Sequence, residues 1–197
     1  MGVVPALEVL AGVREAESVV VTNQSSARLW PELSDDVLDF NYNPSTMGGA
    51  IPFGLGVALA QREREVVVVS GDGSLLMNLG SLVTVVESGA RNLSVVLLDN
   101  GLYEVTGGQR TPGAGSGTDF AGLATAAGFT SVGSYGDLEA WRAAAQGWLR
   151  DPGPRFVWLK VAAQPGDYMT NTARPIGEQL ERMRTAMRPS DGGSSAA

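Results

Sequence analysis

The sequence predicts an α/β fold of three layers, in which helices cover both faces of a mostly parallel central sheet of about six strands. Short runs rich in β-branched residues alternate along the chain with segments whose apolar residues recur at helical spacing. Two of these runs, 66–69 and 93–98, are apolar throughout, as is typical of strands buried on both faces of a parallel sheet. At 197 residues, the chain has the length of one domain.

The individual elements follow from apolar spacing and from the residues that end each run. The predicted strands lie at 18–22, near 37–40, and at 66–69, 93–98, 130–132 and 155–161. The predicted helices lie at 3–14, 51–60, 74–86, 119–127 and 138–149, with a last helix around Met183 and Met187. Residues 23–27 are predicted to form a polar loop, and Trp30 is assigned to the core or to an interface. Trp141 and Trp148 are expected to face inward.

The stretch from 65 to 109 carries the most informative pattern. Its first apolar run stops at Ser70-Gly71-Asp72-Gly73, and helical spacing begins at Ser74, which suits an N-cap or first-turn residue. Its second apolar run stops at Asp99-Asn100-Gly101. A strand, helix, strand unit is a right-handed crossover in nearly all cases, so both strand ends open on the same edge of the sheet. Asp72 and Asn100 are therefore expected to lie side by side.

These residue types predict a site for a metal and an anion. One carboxylate, one amide oxygen and a backbone carbonyl suit Mg2+, which usually completes its coordination with phosphate oxygens and water. The amides of Gly73, Ser74 and Leu75 begin a helix, where unsatisfied N–H groups favour an anion. A lone Gly-Asp-Gly is common, however, and the alternative interpretation is an ordinary strand-to-helix turn with a capping serine.

Three linked segments resemble a known family. Gly71-Asp72-Gly73, then twenty-six residues, then Asn100 is similar to the motif with which thiamine diphosphate enzymes hold Mg2+ and diphosphate. Residues 45–49, Ser-Thr-Met-Gly-Gly, resemble the segment of that family that carries the aminopyrimidine ring. Residues 71–81 and 99–109, the latter ending in Thr-Gly-Gly-Gln, look like the β subunit of sulfopyruvate and phosphonopyruvate decarboxylases. The resemblance covers roughly residues 15 to 165 and implies the thiamine diphosphate-binding fold.

The resemblance assigns roles to individual residues. It implies that Mg2+ is held by Asp72, Asn100 and the backbone carbonyl of Leu102. The implied cofactor-binding residues are Ser45, Thr46, Met47, Gly71, Asp72, Gly73, Ser74, Asn100, Leu102 and Tyr103. Thr106 and Gln109 are implied to lie close to the reacting carbon, with Gln109 as a hydrogen-bond donor to substrate.

Several of these roles have competing interpretations. Met47 is either a wedge that bends the cofactor between its rings or a filler of the core. Serine at position 45 replaces the usual glycine, and it is tolerated only if the backbone there avoids positive φ. The loop that contains Gln109 could instead be a flexible surface loop, and residues 113–117 are a candidate linker. Glu104 falls where similar decarboxylases have a small residue.

Composition excludes several functional classes. The net charge of −7 and the pI near 4.6 oppose nucleic-acid binding. Cysteine and histidine are absent, which excludes thiolate or histidine metal sites and a Ser-His-Asp triad built from this chain. No apolar run could span a membrane, and residues 1–6 do not resemble a signal peptide, so a soluble cytoplasmic protein is expected.

The length of the chain bears on function. Residues 1–188 are predicted to form one diphosphate-binding domain, and 189–197 a disordered C-terminal tail. In similar enzymes a glutamate from a separate pyrimidine-binding domain activates the cofactor, so the resemblance implies a partner α subunit and a hetero-oligomer. A decarboxylase of 2-oxo acids is the first interpretation, with Arg110 as a candidate for the anionic end of the substrate. A carboligase similar to acetolactate synthase and a non-catalytic binding module are the alternatives.

Overall fold

In the computed structural model, which describes residues 1–163 and 174–188, eight strands form two sheets. The strands of the main sheet are β1 (Val19–Asn23), β2 (Asp39–Tyr42), β3 (Val66–Gly71), β4 (Leu93–Asp99), β7 (Ser131–Tyr135) and β8 (Arg155–Lys160). The other two, β5 (Leu102–Tyr103) and β6 (Gln109–Arg110), pair as a short antiparallel hairpin. The main sheet has the order β2-β1-β3-β4-β8-β7, and every pair in it is parallel. The predicted six-stranded parallel sheet is confirmed.

Helices cover both faces of this sheet. They are α1 (Val3–Val13), α2 (Gln24–Leu29), α3 (Ala50–Ala60), α4 (Asp72–Met77), α5 (Ser81–Glu87), α6 (Pro112–Ser116), α7 (Phe120–Ala127), α8 (Leu138–Arg150) and α9 (Ile176–Ala186). Alternate residues of each central strand point to opposite faces, where they join two separate apolar cores. One core includes α3, α5, α7 and α9, and the other includes α1 and α8. The three-layer prediction is confirmed, and Trp30, Trp141 and Trp148 are buried as expected.

Three local features differ from the sequence-based expectations. The polar loop predicted at 23–27 is largely helical, because α2 begins directly after β1. The helix predicted from Ser74 to residue 86 begins earlier, at Asp72, and is divided into α4 and α5. The division occurs at Asn78, which leaves the helical conformation and donates its side-chain amide to the carbonyl of Gly48 at 3.0 Å.

The third difference concerns the glycine-rich stretch 113–117, which was a candidate for a flexible linker. Most of it belongs to α6, which begins with Pro112, and Gly113 is buried against the ring of Phe120. Packing of this one residue, together with proline at the first helical position, outweighs the low helix propensity of the glycines. The predicted tail, 189–197, lies outside the residues that the structure describes.

The order of the strands determines where a ligand could bind. From β1 the chain crosses to β2 on one side, whereas from β3 it crosses to β4 on the other. In open parallel sheets, a crevice forms at the carboxyl ends of the strands where the direction of winding reverses. In this sheet that point lies between β1 and β3. Among the described residues, no helix is long and apolar enough to cross a membrane.

The packing of α3 on β3 yields a stability prediction. A Cβ atom added to Gly54 would lie 2.2 Å from Cγ2 of Val68, whereas one added to Gly56 would meet nothing within 4 Å. Gly54→Ala should therefore lower the free energy of unfolding by about 1–3 kcal/mol through overpacking. Gly56→Ala in the same helix is the matched control and should raise it by up to about 1 kcal/mol through helix propensity. Urea denaturation of both variants measures the difference, and equal shifts would contradict this packing.

Candidate functional site

A cleft opens at the carboxyl ends of β1, β3 and β4, where the winding of the sheet reverses. Its lining includes residues at or just after the ends of three strands: Asn23, Gln24, Ser25 and Ser26 at β1; Gly71, Asp72 and Gly73 at β3; and Leu98, Asn100, Leu102, Tyr103 and Glu104 at β4. Met47 also lines it, as do the apolar residues Val3, Leu29, Val105, Val161 and Ala162. The register pairs Gly71 of β3 with Leu98 of β4, so the two strands end at the same level. The prediction that Asp72 and Asn100 meet at one edge of the sheet is confirmed.

Asp72 is the most deeply buried carboxylate of the cleft, with 1% of its surface exposed. It is the first residue of α4, and its Oδ2 accepts a hydrogen bond from the hydroxyl of Thr111 at 2.7 Å. Burial raises the pKa of Asp72 to about 6, and the negative charge of Asp99 adds to this, while the Thr111 hydroxyl and the Gly73 N–H oppose it. A carboxylate so desolvated favours a cation beside it.

Asn100 and Leu102 form the turn that follows β4. Asn100 Oδ1 accepts the backbone N–H of Leu102 at 2.9 Å, and Gly101 donates its N–H to Asp99 Oδ1 at 3.1 Å. The side chain of Asn100 thus shapes the turn, and its amide oxygen retains a second lone pair. Asp72, Asn100 and Leu102 all line the cleft.

Gly73 is required by the close approach of Tyr103. A Cβ atom at position 73 would lie 2.4 Å from Cε1 of Tyr103, so the ring packs directly on the glycine backbone. The hairpin of β5 and β6 is held over the start of α4 by this contact. The last glycine of the Gly-Asp-Gly motif is therefore needed for packing against Tyr103.

Ser74 links three segments beneath the cleft. Its hydroxyl oxygen accepts hydrogen bonds from Asn23 Nδ2 at 3.1 Å and from the backbone N–H of Gly48 at 2.9 Å. The side chain is 1% exposed and does not line the cleft, so the contribution of Ser74 to an anion site would come from its backbone. Ser74 is a first-turn residue, one of the two positions predicted for it.

The segment 45–49 contributes one side chain to the cleft. Met47 is half-buried in its wall, whereas Ser45 and Thr46 do not line it. The φ of Ser45 is not positive, which is the condition under which serine can replace glycine there. Gly48 has a φ of +81°, and a Cβ there would lie 2.8 Å from Cβ of Asn78, so this turn needs glycine.

Thr106 and Gln109 lie together but outside the cleft lining. Both are exposed, and they bond to each other: Thr106 Oγ1 donates to Gln109 Oε1 at 2.9 Å, and Gln109 Nε2 donates to the carbonyl of Thr106 at 2.8 Å. Arg110 is also exposed, and its guanidinium donates to the carbonyl of Ala114 at 3.1 Å. The side chains of Thr106 and Gln109 thus bond to each other and not to residues of the cleft.

Sequence reasoning left open the roles of three residues of the cleft. Gln24 Nε2 is buried and has no hydrogen-bond partner among the described residues, and Asn23 donates its side-chain amide to the hydroxyl of Ser74. Gln24 has a φ of +53°, a left-handed conformation that is uncommon for residues other than glycine. Glu104 is 5% exposed and accepts a hydrogen bond from the Ser25 hydroxyl at 2.6 Å. Polar residues directly after β1 were the available signal, but no sequence pattern indicates the positive φ.

The charges of the cleft limit what it can bind. Its lining includes two carboxylates, Asp72 and Glu104, and no arginine or lysine from the part of the chain that the structure describes. Within the same residues there is no group of three or more histidine, cysteine, aspartate or glutamate side chains suited to a metal. A divalent cation here would need Asp72 together with neutral amide and carbonyl oxygens, which is a donor set that suits Mg2+.

Comparison with known proteins agrees with this geometry. Residues 22–158 match the family model described as thiamine pyrophosphate enzyme, C-terminal TPP binding domain. The chain is 42% identical over 164 residues to a phosphonopyruvate decarboxylase from Streptomyces hygroscopicus, a match that covers 83% of this chain and 39% of that protein. It is 38% identical over 164 residues to the sulfopyruvate decarboxylase subunit beta of Methanothermobacter thermautotrophicus, with 83% of both chains covered.

A solved structure from Mycobacterium smegmatis, described as a candidate thiamin diphosphate-dependent enzyme, has the same fold, with a TM-score of 0.69 and 22% identity over 83% of this chain and 32% of that one. The chain spans about two fifths of the Streptomyces decarboxylase but most of the Methanothermobacter β subunit. The family model covers well over half of the chain, and its match includes the ends of β1, β3 and β4 that form the cleft. The chain therefore belongs to the thiamine pyrophosphate enzymes, as a member with their C-terminal TPP-binding domain.

Proposed function

We propose that this chain is the diphosphate-binding β subunit of a thiamine diphosphate- and Mg2+-dependent decarboxylase of 2-oxo acids. The observation that carries the proposal is the cleft in which Asp72, Asn100 and Leu102 meet. The names of two relatives, phosphonopyruvate decarboxylase and sulfopyruvate decarboxylase subunit beta, support decarboxylation of a 2-oxo acid with an anionic group at C3. The products would be CO2 and an aldehyde.

The chemistry of the cleft fits a diphosphate held through a metal. A diphosphate is strongly anionic and the lining includes the buried carboxylate of Asp72, so a divalent cation bound to Asp72 would allow the two to lie side by side. Asp72, Asn100 and the Leu102 carbonyl would bind Mg2+. The backbone of Gly73 and Ser74 and the unpartnered amide nitrogen of Gln24 would donate to the diphosphate.

The other residues assigned by resemblance remain part of the proposal. Met47 would support the bent cofactor, and Ser45 and Thr46 would contact its pyrimidine ring. Gly71 and Tyr103 would line the diphosphate site, as their place in the cleft supports. Thr106 and Gln109 would contact substrate only if their mutual hydrogen bonds open, because both lie outside the lining. When bound, thiamine diphosphate would supply the carbanion stabilisation that decarboxylation requires.

A partner subunit would complete the site. The cofactor of similar enzymes is activated by a glutamate from a separate pyrimidine-binding domain. Three relatives are named subunit beta, and the Streptomyces hygroscopicus protein is about two and a half times as long as the segment that matches this chain. Both facts support an α subunit that supplies the pyrimidine-binding half, and hence a hetero-oligomer.

Product analysis tests the proposed reaction. The chain would be incubated with thiamine diphosphate, Mg2+ and pyruvate, 3-sulfopyruvate or 3-phosphonopyruvate, with and without the subunit that copurifies from its native host. NMR should detect the corresponding aldehyde only when both subunits are present. A ketol product would instead indicate a carboligase, and turnover by the isolated chain would contradict the need for a partner.

Metal binding should depend on pH through Asp72. Mg2+ must displace the proton of a carboxyl group whose pKa is about 6 in the unliganded protein. Affinity for Mg2+ in the presence of thiamine diphosphate should be nearly constant above about pH 7 and fall towards tenfold per pH unit below 6. Calorimetric titrations between pH 5 and 8 measure this, and a flat profile would count against Asp72 as the ligand.

Asp72→Asn should separate stability from binding. Folding raises the pKa of Asp72, so the ionised form of this side chain opposes folding. The free energy of unfolding therefore falls as pH rises from the unfolded pKa near 4 to the folded pKa of about 6. At pH 7 the neutral asparagine should stabilise the unliganded chain by about 1–3 kcal/mol. The same variant should lose Mg2+ binding. If the Tm of Asp72→Asn were below that of the wild type at pH 7 and at every other pH, burial of an ionised Asp72 would not be what destabilises the unliganded chain.

A further inference from the structure

We propose that Thr111 is a positioning residue for the metal site, which joins the Asp72 carboxylate to the turn that carries Asn100 and Leu102. This inference rests on the proposed function, since it concerns the residues that would bind Mg2+. Thr111 follows β6, is 3% exposed and does not line the cleft. It therefore acts through Asp72 and not by touching a ligand.

Thr111 makes two hydrogen bonds that converge on the site. Its hydroxyl donates to Asp72 Oδ2 at 2.7 Å. Its backbone N–H donates to the carbonyl of Gly101 at 2.9 Å, and Gly101 lies between Asn100 and Leu102 in the chain. One residue thus ties the buried carboxylate on α4 to the backbone between the other two candidate ligands.

The orientation of Asp72 depends on such a bond. The terminal torsion of an aspartate side chain is soft, so its carboxylate oxygens are placed by hydrogen bonds and not by rotamer preference alone. Groups that hydrogen-bond to a ligating carboxylate typically change metal affinity 10- to 100-fold when removed. In this site, the Thr111 hydroxyl is the side-chain donor found for the Asp72 carboxylate among the described residues.

The same residue seats the hairpin on α4. The methyl group of Thr111 and the ring of Tyr103 both lie against Gly73, where an added Cβ would be 3.2 Å from Thr111 Cγ2 and 2.4 Å from Tyr103 Cε1. Thr111 therefore both packs segment 101–111 on α4 and orients the Asp72 carboxylate. Binding of Mg2+ to Asp72 and Leu102 should stabilise both together.

Thr111→Val isolates the hydroxyl, because valine keeps the methyl group that packs on Gly73. Mg2+ would be titrated by calorimetry into the full chain together with the copurifying subunit, at saturating thiamine diphosphate. The Kd for Mg2+ should rise about 10- to 100-fold in Thr111→Val and return to near the wild-type value in Thr111→Ser. Thr125→Val is the matched control, because Thr125 is exposed on α7 and its hydroxyl donates only to its own helix, at the carbonyl of Ala121; its Kd should be unchanged. If Thr111→Val does not fold, Thr111→Ala removes the same hydroxyl.

Hydrogen exchange distinguishes positioning from general stability. Addition of Mg2+ and thiamine diphosphate should protect the amides of 101–111 in wild type and Thr111→Ser, and less in Thr111→Val, at metal concentrations that saturate each variant. If the wild type binds Mg2+ and Thr111→Val has the same Kd for Mg2+ and the same protection from exchange, this proposal is overturned and the proposed function is not. Absence of Mg2+ binding by the wild-type chain, with the copurifying subunit present, would overturn the proposed function and this proposal with it.

Discussion

The buried carboxylate of Asp72 is the constraint on which the rest of the site depends. The parallel pairing of β3 and β4 brings Asp72 beside the turn after Asp99, so two acidic residues share a desolvated strand edge. Burial of Asp72 and the negative charge of Asp99 both oppose ionisation of the Asp72 carboxyl group. The surrounding hydrogen bonds, from the Thr111 hydroxyl and the Gly73 N–H, compensate only in part, since the pKa of Asp72 remains raised to about 6. Such an arrangement lowers stability unless a cation is part of the functional state.

The same constraint explains why this cleft can be acidic and still serve an anionic cofactor. With the Asp72 carboxylate in its lining, an anion would bind poorly unless a divalent cation bound with it or before it. Under the proposed function, Mg2+ would make the local potential positive, and the backbone amides at the start of α4 and the Gln24 amide would then donate hydrogen bonds to the anion. Metal and diphosphate are therefore expected to bind as one unit.

Much of the fold and part of the site could be predicted from the sequence. Runs such as 66–69 and 93–98 specify buried parallel strands by composition alone, and the crossover rule then places Asp72 near Asn100. The failures have a common cause in contacts between distant segments. The break between α4 and α5 depends on the hydrogen bond from the Asn78 side chain to the Gly48 carbonyl. The formation of α6 depends on packing of Gly113 against the ring of Phe120. Local propensity carries no information about either partner.

Gln24 shows why the site itself was the hardest part to predict. Its backbone is held at a φ of +53°, which costs about 1 kcal/mol or more, and its buried side-chain nitrogen has no partner among the described residues. Both features oppose folding, and both fall on one residue at the point where the sheet reverses its winding. Sequence rules describe the features that stabilise a fold, so they do not predict residues such as Gln24 whose conformation destabilises it. An anion that accepted a hydrogen bond from Gln24 would offset the second cost, and the raised pKa of Asp72, in the same cleft, would be offset by the metal.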